Sequence, residues 1–366
     1  MKILFAGGGT GGHLFPAVAL AQKLLAGDPE ARVLFVGTRR GIEARVLPEL
    51  KLPLETVCIR GLVGQGLWGK LRVLPQLTAS IHQSLGIIDR FKPDLVLGVG
   101  GYASGPALLA ARLKKIPCVI HEQNAWPGLT NRLLARWAER VFLSFSEADG
   151  AFNRGRTVLT GNPLRSGMED CPPLPDTEPT LLVFGGSRGA RAINRAMMGA
   201  LPRLETLRGR LRIQHQTGSA DLAEVSQAYR RAGWGDAEVV PFIHDMAAAY
   251  ARAQLIVCRA GATTIAELTA CGRPAILIPY PLAAGDHQTA NALMLSRRGA
   301  ALMLAQKELT SDLLARLAGD LLQDRERLLS MAGMARSLAR RGAADRILEE
   351  CRRLVGVCTP SAQKQE

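Results

Sequence analysis

The chain has 366 residues, 47% of them hydrophobic and only 5% aromatic, the composition of a folded α/β protein and not of a disordered or fibrous one. That length suffices for two cores, since a single core stops growing at roughly 250–300 residues, and no apolar run approaches the ~18 residues that cross a bilayer. The formal net charge of +14 is uneven: residues 1–165 carry 21 Lys/Arg against 11 Asp/Glu, the remainder 25 against 21.

An excess of that kind in the first half implies an anionic partner, either acidic lipid or a phosphorylated ligand, unless it only reflects a basic proteome. Nucleic acid is set aside, because aromatic residues are few and no basic run interleaves with them. The cysteines at 58, 118, 171, 258, 271, 351 and 358 are odd in number and never spaced Cys-x-x-Cys, so neither a zinc site nor a disulfide framework is expected. The first strand leads directly into glycines, as no signal peptide does, and a cytoplasmic protein is expected.

In chain order, KILFAG (2–7), RVLFVG (32–37), DLVLGVG (94–100), PCVIHE (117–122), RVFLSF (140–145) and TVLTG (157–161) are predicted strands separated by helical stretches. The stretch GNPLRSGMEDCPPLPDTEPT (161–180) follows, too rich in proline and acid for a helix or a central strand, and marks a domain boundary. TLLVFGG (180–186), RIQHQTG (212–218), EVVPFI (238–243), LIVCRAG (255–261) and AILIPY (275–280) are the strands beyond it. Continuous apolar strands alternating with helices predict parallel sheets covered on both faces.

The halves also resemble one another. ILFAGGGTGGHLFPAVALAQ (3–22) corresponds to LLVFGGSRGARAINRAM (181–197), each a strand, a glycine turn and a helix, the first helix predicted to start with His13. Two doubly wound sheets in tandem follow, with ligands expected at the carboxyl ends of strands, where the glycine turns cluster.

Gly7-x-Gly9-x-x-Gly12 matches the dinucleotide fingerprint between strand and helix. Thr38, Arg39 and Arg40 follow the second strand where NAD enzymes carry an acid, so an NADP-dependent oxidoreductase stays open. A P-loop is absent from the sequence. Gly185-Gly186-Ser187-Arg188-Gly189-Ala190 repeats the turn in the second half, and its helix start, with the Ser187 hydroxyl, suits a diphosphate; a turn needed only for packing is the alternative. Arg165, stiffened by Pro163, could clamp a phosphate or be an ordinary surface residue. Glu267, six residues past Gly261, could take both hydroxyls of a ribose or lie on a solvated helix face. Asn124 and Gln288 carry amides suited to sugar hydroxyls. His13, His121 and Glu122 are the candidate bases near the glycine edges of the first half. The chain has no Asp-x-Asp triplet, so no metal is expected, and no cofactor.

Taken together, GGGTGGH, GVGGYASGP, HEQNAWPGLTN, TGNPLR, FGGSRGA, CRAGATTIAEL and GDHQTANA resemble, in order and over residues 1 to about 300, the MurG-type transferase family. That family moves N-acetylglucosamine (GlcNAc) from its UDP carrier to a lipid-linked muramyl-pentapeptide in cell-wall synthesis. The resemblance implies a GT-B fold, two Rossmann-like domains facing a central cleft. Residues 1–163 would bind the acceptor and associate with the membrane, 164–340 would bind UDP-GlcNAc, and a last helix, about 341–366, would pack back on the first domain.

It further implies that Ser187 and Arg165 hold the diphosphate and that Ile243 presents backbone atoms to the uracil. Glu267 would take the ribose beside Ala262, Thr263 and Thr264, and Gln288 the GlcNAc hydroxyls. Thr10, Gly11, Gly12 and Asn124 would reach the donor sugar or the acceptor diphosphate. His13 is the expected catalytic base, with Glu122 second. The implied partners are UDP-GlcNAc, lipid I, the anionic inner-membrane surface at its cytoplasmic face, and cell-wall or division machinery. The membrane face would be Leu67, Trp68, Leu71, Leu74 and Leu77 with Lys70 and Arg72, although Val63 and Gln65 stand where basic residues are common. A non-catalytic membrane scaffold is the remaining alternative.

Overall fold

The computed structural model describes residues 1–59, 67–153, 155–186 and 189–358; for 67–74, 284, 357 and 358 it describes the backbone only. It divides into two compact lobes, Met1–Leu164 with Gly342–Glu366, and Arg165–Arg341.

In the first lobe, β1 (Lys2–Gly7), β2 (Arg32–Gly37), β3 (Leu54–Thr56), β4 (Leu95–Gly100), β5 (Cys118–Glu122), β6 (Arg140–Leu143) and β7 (Thr157–Leu159) form one sheet in the order 3-2-1-4-5-6-7. Every pairing is parallel. The helices are α1 (Gly11–Gly27), α2 (Glu43–Glu49), α3 (Leu67–Phe91), α4 (Ser104–Leu113), α5 (Leu129–Leu134) and, from the far end of the chain, the final helix Ala343–Cys358. Strands buried on both faces have to be apolar throughout. Phe5 of β1 accordingly lies in register with Phe35 on one side and Leu97 on the other, its ring stacked on that of Phe35 at 5.1 Å. Ile347, Leu348 and Cys351 of the final helix are buried in the same core cluster as Ile3, Phe5, Leu14 and Leu20.

The second lobe repeats the plan. β8 (Thr180–Phe184), β9 (Arg212–Gln216), β10 (Glu238–Val240), β11 (Leu255–Cys258), β12 (Ala275–Leu277) and β13 (Ala301–Met303) are ordered 10-9-8-11-12-13, again all parallel. Between and after them run α6 (Arg191–Ala200), α7 (Leu222–Arg231), α8 (Met246–Arg252), α9 (Ala262–Cys271), α10 (His287–Ser296), α11 (Ser311–Gln323) and α12 (Arg325–Ser337), so that the final helix is α13.

Strand order reverses between β1 and β4 in the first lobe and between β8 and β11 in the second. In open parallel sheets that reversal opens a crevice at the carboxyl edge. Glycines 7–9, 100–101, 185–186 and 261 stand at or just past the ends of β1, β4, β8 and β11.

Two strands went unread in the sequence, β3 and β13, each three residues long at a sheet edge; β3 lies in no apolar run, and the alanines and leucines around β13, residues 300–305, suit a helix as readily as a strand. EVVPFI holds strand only to Val240, because Pro241 has no N–H for the ladder. The first helix begins at Gly11 and not at His13, which places the imidazole in its first turn.

Candidate active site

Gly7, Gly8 and Gly9 leave β1 at φ of 136°, 138° and 83°, values that L side chains rarely adopt. Two of them are also packed on the turn after β4. A Cβ on Gly7 would meet Gly100 O at 2.2 Å, and one on Gly101 would meet Gly8 O at 2.5 Å. Ser104 pins the junction, its hydroxyl donating to Ala6 O at 2.6 Å and receiving Gly100 N–H at 3.1 Å. Gly9 and Gly12 differ. Nothing lies within 4 Å of a Cβ on Gly9, and only Thr10 Oγ1, at 3.9 Å, near one on Gly12. Thr10, exposed, caps α1 without a side-chain hydrogen bond, and Pro16 has no N–H for Gly12 O to receive.

Beneath this loop lies a carboxylate that the sequence did not advertise. Glu43 is 1% exposed; Oε2 accepts Gly9 N–H at 2.7 Å, and Oε1 accepts Thr38 N–H at 2.8 Å and Thr38 Oγ1 at 3.0 Å. One main-chain donor of the dinucleotide fingerprint is thus already paired with an internal anion. A second anion at that amide would meet like charge.

His13 is half-buried, and a Cβ on Gly100 would touch its ring at 3.1 Å. Its Nδ1 stands 3.1 Å from Gln123 Oε1. Glu122 is fully buried and saturated: Oε1 accepts Asn124 N–H at 2.9 Å and Asn124 Nδ2 at 3.1 Å, Oε2 accepts Gly128 N–H at 3.0 Å and Asn131 Nδ2 at 2.9 Å. It clamps the loop from 123 to 128, and Asn124 is held by it. His121 is equally buried, and burial pushes its imidazole down to about 4, so it is neutral.

In the second lobe, a Cβ on Gly189 would meet Thr217 O at 1.9 Å, so this turn too needs glycine for close packing. Ser187 lies outside the described residues, together with Arg188. Gln216, 3% exposed, ties the turn to Ile243: Nε2 donates to Gly186 O at 2.8 Å and Oε1 accepts Ile243 N–H at 3.3 Å.

Gly261 precedes α9, whose first residues are buried Ala262, buried Thr263 and half-buried Thr264. Glu267, in its second turn, is 2% exposed, so the solvated-face alternative does not hold. The structure brings Glu267 and Arg165 together at 3.0 Å, off hydrogen-bond alignment, while Tyr250 OH donates to Glu267 Oε2 at 3.2 Å. Burial pushes the Glu267 carboxyl above its ordinary range, and the Arg165 charge and the Tyr250 hydroxyl pull it back down. Gln288 lies on the first turn of α10, its Oε1 accepting Tyr280 N–H at 2.9 Å.

Of the membrane face expected on α3, Val63 and Gln65 lie outside the described residues, as do the side chains of Leu67, Trp68, Lys70, Leu71, Arg72 and Leu74; Leu77 is half-buried. A surface that the sequence reading missed lies after β5. Trp126, Leu129, Leu133 and Trp137 are 57%, 63%, 49% and 42% exposed, and the Arg136 guanidinium lies 5.8 Å from the Trp137 ring. Leu129 and Leu133, one turn apart on α5, were the one local signal, with Trp137 lying beyond the helix end. Gln123, Glu43, Gln216 and Tyr250 were likewise unread; of these, only Gln123 sits inside a motif that had been singled out.

Residues 3–143 match the glycosyltransferase family 28 N-terminal domain, and residues 180–347 the family 28 C-terminal domain. The chain is 67% identical, over 97% of its length and 99% of the relative's, to the UDP-N-acetylglucosamine–N-acetylmuramyl-(pentapeptide) pyrophosphoryl-undecaprenol N-acetylglucosamine transferase of Syntrophotalea carbinolica. It is 52% identical to that of Geobacter metallireducens, covering 96% of this chain and 98% of the relative. The crystal structure of Acinetobacter baumannii MurG superposes with a TM-score of 0.77 at 34% identity, covering 96% of this chain and 99% of that one. Two parallel-sheet lobes, glycine turns at both switch points and this likeness over nearly the whole length establish that the chain belongs to the MurG family of GT-B, family 28 glycosyltransferases.

Proposed function

We propose that the chain transfers GlcNAc from UDP-GlcNAc to the 4-hydroxyl of the muramyl sugar in lipid I, with inversion at the anomeric carbon, forming lipid II. The observation that carries this reading is the repeated switch point. Each lobe has its own glycine-lined carboxyl edge, so one chain has two ligand edges, as a reaction between two bound substrates requires. A nicotinamide oxidoreductase would use the first edge for pyrophosphate, where Glu43 already takes Gly9 N–H.

In this reading the second lobe binds the donor. The uracil reads backbone atoms at Ile243, whose N–H is committed to Gln216. The ribose hydroxyls meet Glu267, with Ala262, Thr263 and Thr264 at the α9 start. The sugar receives a hydrogen bond from Gln288 Nε2, since Oε1 takes Tyr280 N–H. Charge building on the departing diphosphate falls on Arg165, Ser187 and the N–H groups at the start of α6.

The first lobe holds the acceptor with Thr10, Gly11, Gly12 and Asn124, and His13 removes the proton of the attacking hydroxyl. Four donors on a sealed carboxylate leave Glu122 to shape the loop. Membrane contact at the cytoplasmic face draws on the aromatic and leucine surface around α5, whose Arg132 and Arg136 suit anionic headgroups. Among the described residues, no helix is long and apolar enough to cross a membrane. Contacts with cell-wall or division machinery belong to the same proposal.

The direct test is GlcNAc transfer to a short-chain lipid I analogue, with thermal shifts by UDP-GlcNAc and NADPH compared in parallel. Transfer together with a shift by UDP-GlcNAc alone is expected. Absence of transfer with a shift by NADPH would overturn the reading.

A further inference from the structure

Gln123 lies between two histidines, and its amide has a single permissible orientation. Nε2 stands 3.0 Å from Val99 O and 3.2 Å from His121 O, and Oε1 stands 3.1 Å from His13 Nδ1. Exchanging the ends of the amide would set its oxygen against two carbonyl oxygens, so the NH2 group must face them. An amide oxygen only accepts. His13 Nδ1 therefore carries a hydrogen, and the neutral ring keeps its lone pair on Nε2.

The chain of bonds continues inward with one polarity. One Gln123 Nε2 hydrogen goes to Val99 O and the other is shared between His121 O and His121 Nδ1, each at 3.2 Å, while His121 Nε2, 3.3 Å from both Gly161 O and Ser144 Oγ, carries the ring hydrogen, because the carbonyl has none to give. A proton on His121 Nδ1 would face the Gln123 NH2 group and break the arrangement. Complete burial of His121 favours the neutral ring.

We propose that Gln123 is a positioning residue for the transfer, fixing the Nδ1–H tautomer of His13 so that Nε2 is the proton acceptor, with His121 locking the Gln123 amide from behind. This rests on the reading of His13 as the base. The acceptor hydroxyl proton passes to Nε2 as its oxygen bonds to the anomeric carbon and the bond from that carbon to the diphosphate oxygen breaks, UDP leaving with the electron pair, while Nδ1–H stays hydrogen-bonded to Gln123 Oε1 throughout. Gln123 contacts no reacting atom, so its whole effect has to pass through His13.

The test uses the full chain labelled with 15N-histidine, His13 being assigned by its loss in His13→Ala, together with kinetics on His13→Ala, Gln123→Met and the double variant. Expected are an unprotonated Nε2 and a protonated Nδ1 for His13 in the parent protein, and a mixed tautomer signal in Gln123→Met. Turnover of Gln123→Met should fall about 10–100-fold, as is typical when a partner that orients a functional imidazole is removed, with KM for UDP-GlcNAc within about twofold because the donor edge is untouched. The double variant should be no slower than His13→Ala, since the two act as one unit.

A neutral His13 ring in the parent protein with its proton on Nε2 and none on Nδ1 overturns the proposal without reference to any variant. Lost turnover in His13→Ala with normal turnover in Gln123→Met overturns it and leaves the base standing. Normal turnover in His13→Ala removes the base and the proposal together. A double variant slower by the product of the single effects would give Gln123 a role of its own, against the proposal.

Discussion

The Arg165 guanidinium stands 3.0 Å from the Glu267 carboxylate, with 31% of the arginine side chain exposed and 2% of the glutamate. The arginine thus opposes, from the solvent side, the upward push of burial on the sealed carboxyl, and Tyr250 hydrogen-bonds it from within. Removing the arginine leaves a buried acid without its opposing charge, and replacing both side chains does not. Arg165→Met should therefore lower the melting temperature more than Arg165→Met/Glu267→Gln, and both should raise KM for UDP-GlcNAc at least about tenfold, the loss of one charged hydrogen-bond partner. Calorimetry with steady-state kinetics checks both; equal melting of the two variants would remove the coupling.

Glycines of the first turn separate into two kinds. Gly7→Ala forces a Cβ to 2.2 Å from Gly100 O at φ 136° and should leave little folded protein. Gly12→Ala meets nothing closer than 3.9 Å and lies in the first turn of a helix, so its melting temperature should match or exceed the parent's. Its transfer rate should nonetheless fall at least about tenfold if a ligand needs that space. Full activity in Gly12→Ala would refute the close approach.

Acid should weaken both lobes. His121 is held neutral at about 4 in the first lobe, and burial lowers His215 to about 3 in the second, where it is bonded to Tyr229 and Asn194. The unfolded chain takes up these protons near pH 6.5 and the folded one only far below. Stability is therefore complete above about 6.5 and is lost as pH falls from there toward 4, by about 1.4 kcal/mol per pH unit for each histidine. Urea midpoints at pH 7.5 and 5.5 read this directly, and equal midpoints would contradict it.

The surface around α5 predicts a separable defect. Leu129→Ser/Leu133→Ser/Trp137→Ser removes apolar area that is already exposed, so stability should change little. Sedimentation with anionic vesicles should fall at least about tenfold, by loss of buried hydrocarbon. Turnover on a short-chain acceptor should persist. Undiminished vesicle binding would assign membrane contact elsewhere.

LIVCRAGATTIAEL could be read from the sequence as strand, turn and helix because its signals are local: an apolar run, a glycine, then a stretch that closes on the helix formers Ala266, Glu267 and Leu268. Glu267 was legible as a functional candidate for the same reason. Its burial was not, because burial comes from Tyr250 and Arg165, which approach from other segments. Glu43 reaches Gly9 across 34 positions of sequence, and no pattern joins the two. The two orientations of the Gln123 amide are equivalent on paper; Val99 and His121 choose between them in space. The α5 surface escaped notice because a six-residue helix is too short for periodicity to stand out.

Helix α13 brings Ile347, Leu348 and Cys351 into a core that begins with Ile3. On the ribosome, the lobe that starts first must therefore wait until Ala343–Cys358 has been made before its interior is sealed, whereas the lobe encoded in the middle has all its own residues earlier. A chain that stalls after residue 341 would carry a complete second lobe and an unfinished first one.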